Sequence, residues 1–134
     1  MPVYNCTAPA GSISMQTRKK IATAITDVHC KSTNAPRSFV HVFFRETTNG
    51  GSETSGVDTP FFIDGVNRAG REANVVLELK SELRKAYSDI AGVPVDQVGA
   101  RISEVPASWV MEAGAILPEP GEEGEEWYSS ATAQ

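Results

Sequence analysis

Residues 15–44, MQTRKKIATAITDVHCKSTNAPRSFVHVFF, place a helical pattern directly before a strand pattern. Apolar residues recur there at the spacing of one helix face: Ile21, Ile25 and Val28. This spacing predicts an amphipathic helix that Ser14 caps and that ends before Pro36, because proline disfavours helical continuation. Residues 39–44 are apolar, aromatic and β-branched, which predicts a strand. With the β-rich stretch 3–8 in front, the order becomes strand, helix, strand.

The same order returns 58 residues later without a gap. The matching positions pair Pro2 with Pro60, Pro36 with Pro94, Glu46 with Glu104, Ile21, Ile25 and Val28 with Leu79, Leu83 and Ala86, and Val40 and Phe44 with Val98 and Ile102. Self-similarity at a fixed period indicates two copies of one structural unit. We therefore divide a single domain, residues 1–134, into repeat one at 2–46, a Gly-, Ser- and Thr-rich loop at 47–59, repeat two at 60–104 and a C-terminal segment at 105–134.

The second copy has its own local signals. Residues 61–66 and 98–103 are predicted strands on either side of a helix. Gly92 ends that helix before Pro94, as glycine commonly does at a helix C-terminus. One face of the helix carries the stripe Val75, Leu79, Leu83, Ala86, Tyr87 and Ile90.

Strand–helix–strand units require parallel pairing within each copy and a right-handed crossover. We therefore predict an α/β (α+β) fold in which two fused β-α-β repeats form a four-stranded sheet with both helices on one face. The other face stays uncovered, although the strand at 39–44 is apolar. Since large apolar surfaces mark association sites, we expect this face to be buried against other copies of the chain.

Composition and charge exclude several classes of partner. The net charge is −5, and much of it comes from the glutamates between residues 119 and 126, so a basic face for nucleic acid or an anionic membrane is not expected. Cys6 and Cys30 are too few for a disulfide framework. No apolar run reaches about 20 residues and no signal segment opens the chain, which predicts a cytoplasmic protein with no membrane partner.

Two residues of the first repeat are candidates for chemistry. Pro2 follows Met1, and methionine is normally trimmed when a small residue comes second. Proline has a secondary α-amine, so an exposed Pro2 offers a conformationally fixed base or nucleophile; the structural alternative is a proline that merely begins a strand. His29 lies on the inward stripe of the first helix, where a purely structural histidine is the alternative.

Three charged residues of the second half are further candidates. Arg68 and Arg71 lie where the third strand turns into the second helix. The helix dipole there prefers anions, so two guanidinium groups suit a carboxylate ligand better than the helix itself, although solvated surface arginines are the alternative. Glu112 is a single acid in the apolar segment WVMEAG and is a candidate general base, or else a surface glutamate.

These candidates form a pattern that covers nearly the whole chain in order. The pattern resembles the cis-3-chloroacrylic acid dehalogenase group of the tautomerase superfamily. The residues that carry the resemblance are Pro2, the run AITDVH at 24–29, the Arg68 and Arg71 pair, Glu112, Gly114, the motif LPEPG at 117–121 and Trp127.

The resemblance implies a tautomerase fold and a homotrimer with one active site in each subunit around the N-terminal proline. It implies that Pro2 transfers the proton and that Glu112 activates water. A small carboxylate substrate would be held and polarised by the group His29, Arg68 and Arg71. No organic cofactor or metal is implied.

Arg101, in the sequence ARISE at 100–104, departs from this pattern because it stands where the family has a water-activating tyrosine. Arginine cannot act as a base at neutral pH, but it anchors carboxylates and lowers the pKa of nearby amines. Substrate binding is therefore predicted for Arg101, and dehalogenation is expected to be weak.

Two classes of function remain open from the residues. A neutral Pro2 suits keto–enol tautomerisation, and a protonated Pro2 suits hydration or hydrolytic dehalogenation of an unsaturated acid. The alternative to an enzyme is a catalytically silent trimeric module that binds a small acid or a protein partner. The acidic tail and a retained Met1 would favour that alternative.

Overall fold

The computed structural model describes residues 1–47 and 59–132 of the 134 in the chain. The regular elements are β1 (Val3–Pro9), α1 (Met15–Thr33), β2 (His41–Thr47), β3 (Phe61–Arg68), α2 (Ala73–Ala91), β4 (Val98–Val105), β5 (Met111–Glu112), β6 (Ala115–Ile116) and α3 (Glu125–Thr132). Strand, helix and strand follow one another twice, as predicted. Apart from Thr47 and Thr59, the loop predicted at 47–59 lies outside the described residues.

The four long strands form one sheet in the order β2-β1-β3-β4. β1 pairs in parallel with β2, and β3 pairs in parallel with β4. The two copies join at the centre, where β1 and β3 run antiparallel. Both helices cover one face of this sheet, so the predicted fold class and the parallel pairing within each copy are confirmed.

The helix ends follow the local chemistry of the sequence. The Ser14 hydroxyl accepts the Thr17 N–H at 3.1 Å and thereby satisfies a free donor of the first turn of α1, as predicted. Asn34 and Gly92 close α1 and α2 in the left-handed conformation, with φ of 57° and 71°. Among the described residues, no helix combines the length and the hydrophobicity needed to cross a membrane.

The core lies between the sheet and the two helices. Its fully buried side chains are Tyr4, Cys6, Ile21, Ile25, Ile63, Leu79, Leu83, Tyr87 and Val98. The stripes predicted for both helices therefore face inward, because period 3.6 aligns these positions on one side of each helix. His29 is buried on the same stripe and is 1% exposed.

The repeat holds at 58 residues for the helices but slips by one residue in the first strands. Tyr4 and Cys6 of β1 face the helices, whereas the ungapped match places them on Phe62 and Asp64 of β3. In β3 the buried positions are instead the odd-numbered ones, from Phe61 to Gly65. The predicted equivalence of the first strands is therefore wrong by one residue, because the connection from β1 to α1 is one residue longer than that from β3 to α2.

The second strand begins later than predicted. Residues 39–44 were expected to be extended, but Arg37–Phe39 form a short 3-10 turn in which the Phe39 N–H donates to the Pro36 carbonyl at 3.1 Å. Proline fixes its own φ and favours such a turn start. Phe39 consequently leaves the sheet and packs in a second apolar cluster with Ala107 and Leu117.

The sheet face opposite the helices mixes apolar and charged side chains. Phe43 of β2 is 57% exposed there. Asp64 and Arg101 lie side by side on β3 and β4 and form an ion pair on this face, with a 2.8 Å distance from Asp64 Oδ2 to Arg101 Nη2. The uncovered face that the sequence predicted is thus present in the single chain.

Replacing Leu83 with alanine should lower the free energy of unfolding by about 2–5 kcal/mol, because it leaves a cavity in the sheet–helix core. The matched control is Leu77→Ala on the same helix. Leu77 is 66% exposed, so its replacement should change the free energy by less than about 0.5 kcal/mol. Urea denaturation of both variants measures the difference, and equal effects would contradict the assigned helix orientation.

Candidate active site

The candidate site lies at one edge of the sheet, where the start of β1 meets the end of β3. Val3 pairs with Val66 in the antiparallel ladder, so the residues just before Val3 lie beside Asn67 and Arg68. The last turns of α1 supply His29 at the same edge. Antiparallel pairing thus brings the N-terminus to residues more than sixty positions away.

The N-terminal amine is held by a carboxylate. The Met1 ammonium forms an ion pair with Glu112 Oε1, and both side chains are mostly buried. Glu112 belongs to a tight hairpin between β5 and β6, whose turn residues Ala113 and Gly114 have φ of 51° and 79°. This turn fixes Glu112 over the amine. Pro2 lies fully buried beneath Met1, and its carbonyl accepts the His41 N–H at 3.0 Å.

Two opposing influences act on the proton of this amine. Burial and the Arg68 charge lower the pKa of the Met1 amine to about 5. The Glu112 carboxylate in contact with it acts in the opposite direction, because a nearby negative charge favours the ammonium form. The balance between Arg68 and Glu112 therefore decides the protonation state of an amine at this place.

Arg68 is almost entirely enclosed, with 4% of its surface exposed. Its Nη2 donates to Glu123 Oε1 at 2.7 Å and its Nη1 donates to the Pro118 carbonyl. The guanidinium carbon lies 5.5 Å from the ring centre of Trp127, a cation–π distance. Arg68 therefore ties the C-terminal segment to the end of β3.

Arg71 is less enclosed than Arg68. Its Nη1 donates to the Arg68 carbonyl at 3.0 Å, and the side chain is half-buried. Burial, followed by the Arg68 charge, lowers the pKa of Arg71. The two guanidinium groups lie close enough for the charge of Arg68 to act on Arg71.

His29 lies within reach of these charges. Burial, Arg71, the N-terminal amine and Arg68 lower the pKa of His29 to about 3, so the ring is neutral at physiological pH. Its Nδ1 lies 2.7 Å from the Tyr4 hydroxyl. The structure thus brings His29, Arg68, Arg71, Glu112 and the N-terminus to one edge of the sheet.

Arg101 is not part of this cluster. It lies on the sheet face opposite the helices, where its Nε and Nη2 bind both oxygens of Asp64 at 3.1 and 2.8 Å. Its side chain is 65% exposed. Within one chain, Arg101 is therefore separated by the sheet from His29.

The structure adds residues that the sequence did not single out. Tyr4 contacts His29, and Asn67 contacts Tyr4. Glu123 forms an ion pair with Arg68. In sequence Glu123 is one of five similar glutamates between residues 119 and 126, and nothing local distinguishes it from the others. Met1, Val110 and Trp127 also pack against an apolar cluster of Phe39, Ala107 and Leu117.

Comparisons with known proteins give a consistent set of relatives. A family model described as putative oxalocrotonate tautomerase enzyme matches residues 1–132. The crystal structure of N1, a member of the cis-3-chloroacrylic acid dehalogenase (cis-CaaD) family, is 30% identical, with a TM-score of 0.84 over 96% of this chain and 91% of that chain. The structure of native Ps01740 is 35% identical, with a TM-score of 0.74 over 82% of this chain and 99% of that chain.

A more distant structure shares the fold. A fused 4-OT, described as a wild-type symmetric trimer, is 17% identical, with a TM-score of 0.74 over 90% of this chain and 99% of that chain. A search of curated protein sequences found no match.

Glu123→Gln should lower the free energy of unfolding by about 3 kcal/mol, because it leaves the Arg68 charge buried without a counter-charge. The loss should depend on pH. Burial acts to raise the pKa of Glu123, but the hydrogen bonds from Arg68 and Gly121 outweigh it and the pKa is lowered. The stabilisation is thus complete above the carboxyl pKa of the unfolded chain and is lost as the pH falls through the lower folded value.

Urea denaturation at neutral and acidic pH measures this effect, with Glu122→Gln as the exposed neighbouring control. The difference between wild type and Glu123→Gln should shrink at acidic pH, while Glu122→Gln should follow wild type. A difference independent of pH would contradict the ion pair.

Proposed function

This chain belongs to the tautomerase superfamily, in its cis-3-chloroacrylic acid dehalogenase-like group, and on that premise we propose that it is an enzyme with Pro2 as its proton-transfer group. Removal of Met1 frees the Pro2 amine. The substrate is a small unsaturated or enolic carboxylate, and the reaction needs no organic cofactor or metal.

The single observation that carries the proposal is the contact between the N-terminal amine and Glu112 inside a largely buried site. The Met1 side chain fills the space beside the apolar cluster of Phe39, Ala107 and Leu117. Its removal would open this space to a small molecule and place a secondary amine beside it. An apolar pocket with a few converging charged groups is the usual form of a small-molecule site.

Substrate recognition falls to the cationic side of the site. Arg71 is half-buried and makes one hydrogen bond through Nη1, to the Arg68 carbonyl, so we assign it the principal contact with the substrate carboxylate. His29 donates a hydrogen bond to the same substrate. Arg68 adds positive charge, although its Nη1 and Nη2 both bind the C-terminal segment.

We favour tautomerisation as the main reaction, because burial and Arg68 lower the pKa of the Met1 amine, and the same two influences would favour a neutral amine on Pro2 once Met1 is removed. The neutral Pro2 nitrogen accepts the proton of the enol hydroxyl and returns a proton to the adjacent carbon. Atoms and charge are conserved, since the product is the keto isomer.

Hydration is the second reaction that the same groups support. A protonated Pro2 delivers a proton to one carbon of the double bond, while Glu112 accepts a proton from the water that adds to the other. The contact of Glu112 with the amine favours this protonation state. With a halogen on the hydrated carbon, that carbon would lose halide and the hydroxyl proton to become a carbonyl, which would complete a hydrolytic dehalogenation.

We assign Arg101 a contact with the substrate that is bound in the site of another subunit. Its exposed place on the uncovered sheet face keeps it from the site of its own chain. We therefore expect weak dehalogenation, since arginine replaces a tyrosine that would activate water.

We propose a homotrimer, supported by the fold shared with the fused 4-OT trimer and by exposed apolar side chains. Phe43 on the sheet face is 57% exposed, and Trp109 and Met111 near the C-terminal hairpin are 80% and 64% exposed. Surfaces of this kind mark association sites.

Analytical ultracentrifugation should give three times the 14.4 kDa chain mass. Phe43→Glu should dissociate the assembly by placing a charge in the interface, whereas Leu77→Glu, on an exposed helix position, should leave the mass unchanged. A monomeric mass for the unaltered protein would contradict the proposal.

Pro2→Ala should lower kcat/KM at least about 100-fold with phenylenolpyruvate or with halo- and acetylenic acrylates, because proton transfer by a positioned group contributes about 10²–10⁴-fold. Pro60→Ala, outside the site, is the matched control. With a neutral Pro2 base, kcat/KM falls as the pH drops through the amine pKa; with a protonated Pro2 acid, it falls as the pH rises.

Mass spectrometry of the purified N-terminus tests the alternative, a catalytically silent trimeric module that binds a small acid or a protein partner. Complete retention of Met1, with its amine on Glu112, would support that module. Trimmed protein that loses turnover in Pro2→Ala supports the enzyme.

A further inference from the structure

A chain of three buried polar side chains lies beneath the N-terminus. Asn67 of β3, Tyr4 of β1 and His29 of α1 are 2%, 0% and 1% exposed. Asn67 Nδ2 lies 3.3 Å from the Tyr4 hydroxyl, which lies 2.7 Å from His29 Nδ1. Burial of three polar groups in an apolar core costs free energy unless each group is hydrogen-bonded.

The Tyr4 ring has little freedom to move away from His29. A Cβ built on Gly65, its neighbour across the β1–β3 ladder, would lie 2.6 Å from Tyr4 Cε1, so the ring rests directly on the glycine backbone. The Tyr4 and His29 rings meet edge to face, with centres 5.6 Å apart and planes at 70°. Packing therefore holds the hydroxyl in place.

The lengths of the two hydrogen bonds favour one direction for each. A separation of 2.7 Å is usual when an O–H group donates, whereas N–H donors lie nearer 2.9–3.0 Å from their acceptors. Tyr4 has one hydroxyl proton, so its oxygen accepts from Asn67 Nδ2 and its O–H donates to His29 Nδ1. A neutral imidazole that accepts at Nδ1 carries its own proton on Nε2.

Two buried atoms of these three side chains lack hydrogen-bond partners among the described residues: His29 Nε2 and Asn67 Oδ1. A buried donor without an acceptor destabilises the fold, and a ligand oxygen would restore the missing hydrogen bond. The charges of Arg71, the N-terminal amine and Arg68 act on the His29 ring, which lies beside the proposed substrate. The free Nε2–H group is therefore a donor prepared for a ligand.

We propose that Tyr4, oriented by Asn67, is a positioning residue that fixes His29 as the Nε2–H tautomer, so that this nitrogen donates to an anionic oxygen of the substrate. The substrate contact rests on the proposed function, whereas the tautomer does not. His29 is thus a hydrogen-bond donor and not a general base. A carboxylate in place of Tyr4 would accept from Nδ1 and leave Nε2 as the acceptor.

The tautomer is tested by ¹⁵N NMR of histidine-labelled protein at neutral pH. The chain has two histidines, and His41, exposed on β2, is the internal reference. We expect a protonated Nε2 and an unprotonated Nδ1 for His29 in the unaltered protein. A proton on Nδ1 would overturn the proposal without any substitution.

Tyr4→Phe and Tyr87→Phe are the matched variants. Each removes one buried hydroxyl from the same core, but Tyr87 donates to the Thr7 carbonyl at 2.9 Å and has no role at the site. In Tyr4→Phe the His29 proton should no longer be confined to Nε2, whereas in Tyr87→Phe it should remain there. An unchanged tautomer in Tyr4→Phe would refute the role of Tyr4.

Asn67→Asp separates the role of Asn67. An ionised carboxylate only accepts, so it should draw the Tyr4 proton to itself and move the His29 proton to Nδ1. Retention of the Nε2–H tautomer would show that Asn67 does not orient Tyr4.

Turnover provides the second readout. Tyr4→Phe should lower kcat/KM about 10–100-fold, as loss of a partner that orients a ligand-binding group does, while Tyr87→Phe should stay within about 2-fold of wild type. If Pro2→Ala abolishes turnover and Tyr4→Phe does not lower it, the positioning role is refuted. If Pro2→Ala has no effect, the proposed function fails, and the NMR result still decides the tautomer.

Discussion

The antiparallel pairing of β1 with β3 is the constraint on which the rest of this structure depends. It joins two strand–helix–strand units into one sheet and buries a common core beneath both helices. It also sets the start of the chain against the end of β3, so that Met1 and Pro2 lie beside Arg68. A site built from the N-terminus is therefore a direct consequence of the sheet topology.

Charge and burial together give this edge its chemical character. Two guanidinium groups, Arg68 and Arg71, lie with the terminal amine near a neutral His29, and Glu112 supplies the opposing carboxylate at the amine. In a low-dielectric environment such groups shift one another's pKa values strongly. An amine poised between a cation and a carboxylate is suited to accept and return a proton, which is the chemistry we propose.

The C-terminal segment completes the site because Arg68 holds it. Glu123, the Pro118 carbonyl and the Trp127 ring all contact this guanidinium. The same segment carries Leu117 and Trp127 against Met1 and Phe39. One buried arginine thus links the end of β3 to the C-terminal segment near the N-terminus.

The sequence by itself determined the repeat, the two helices with the Ser14 and Gly92 ends, the inward place of His29 and the family resemblance, because caps and periodicity act within a few residues. Tertiary structure alone decided which glutamates have partners at the site, that Tyr4 and Asn67 form a hydrogen bond beside His29, and that Arg101 pairs with Asp64 on the neighbouring strand. These contacts join residues far apart in the chain, and a single-residue slip of a strand exchanges its two faces. Residue spacing in sequence carries no record of that register.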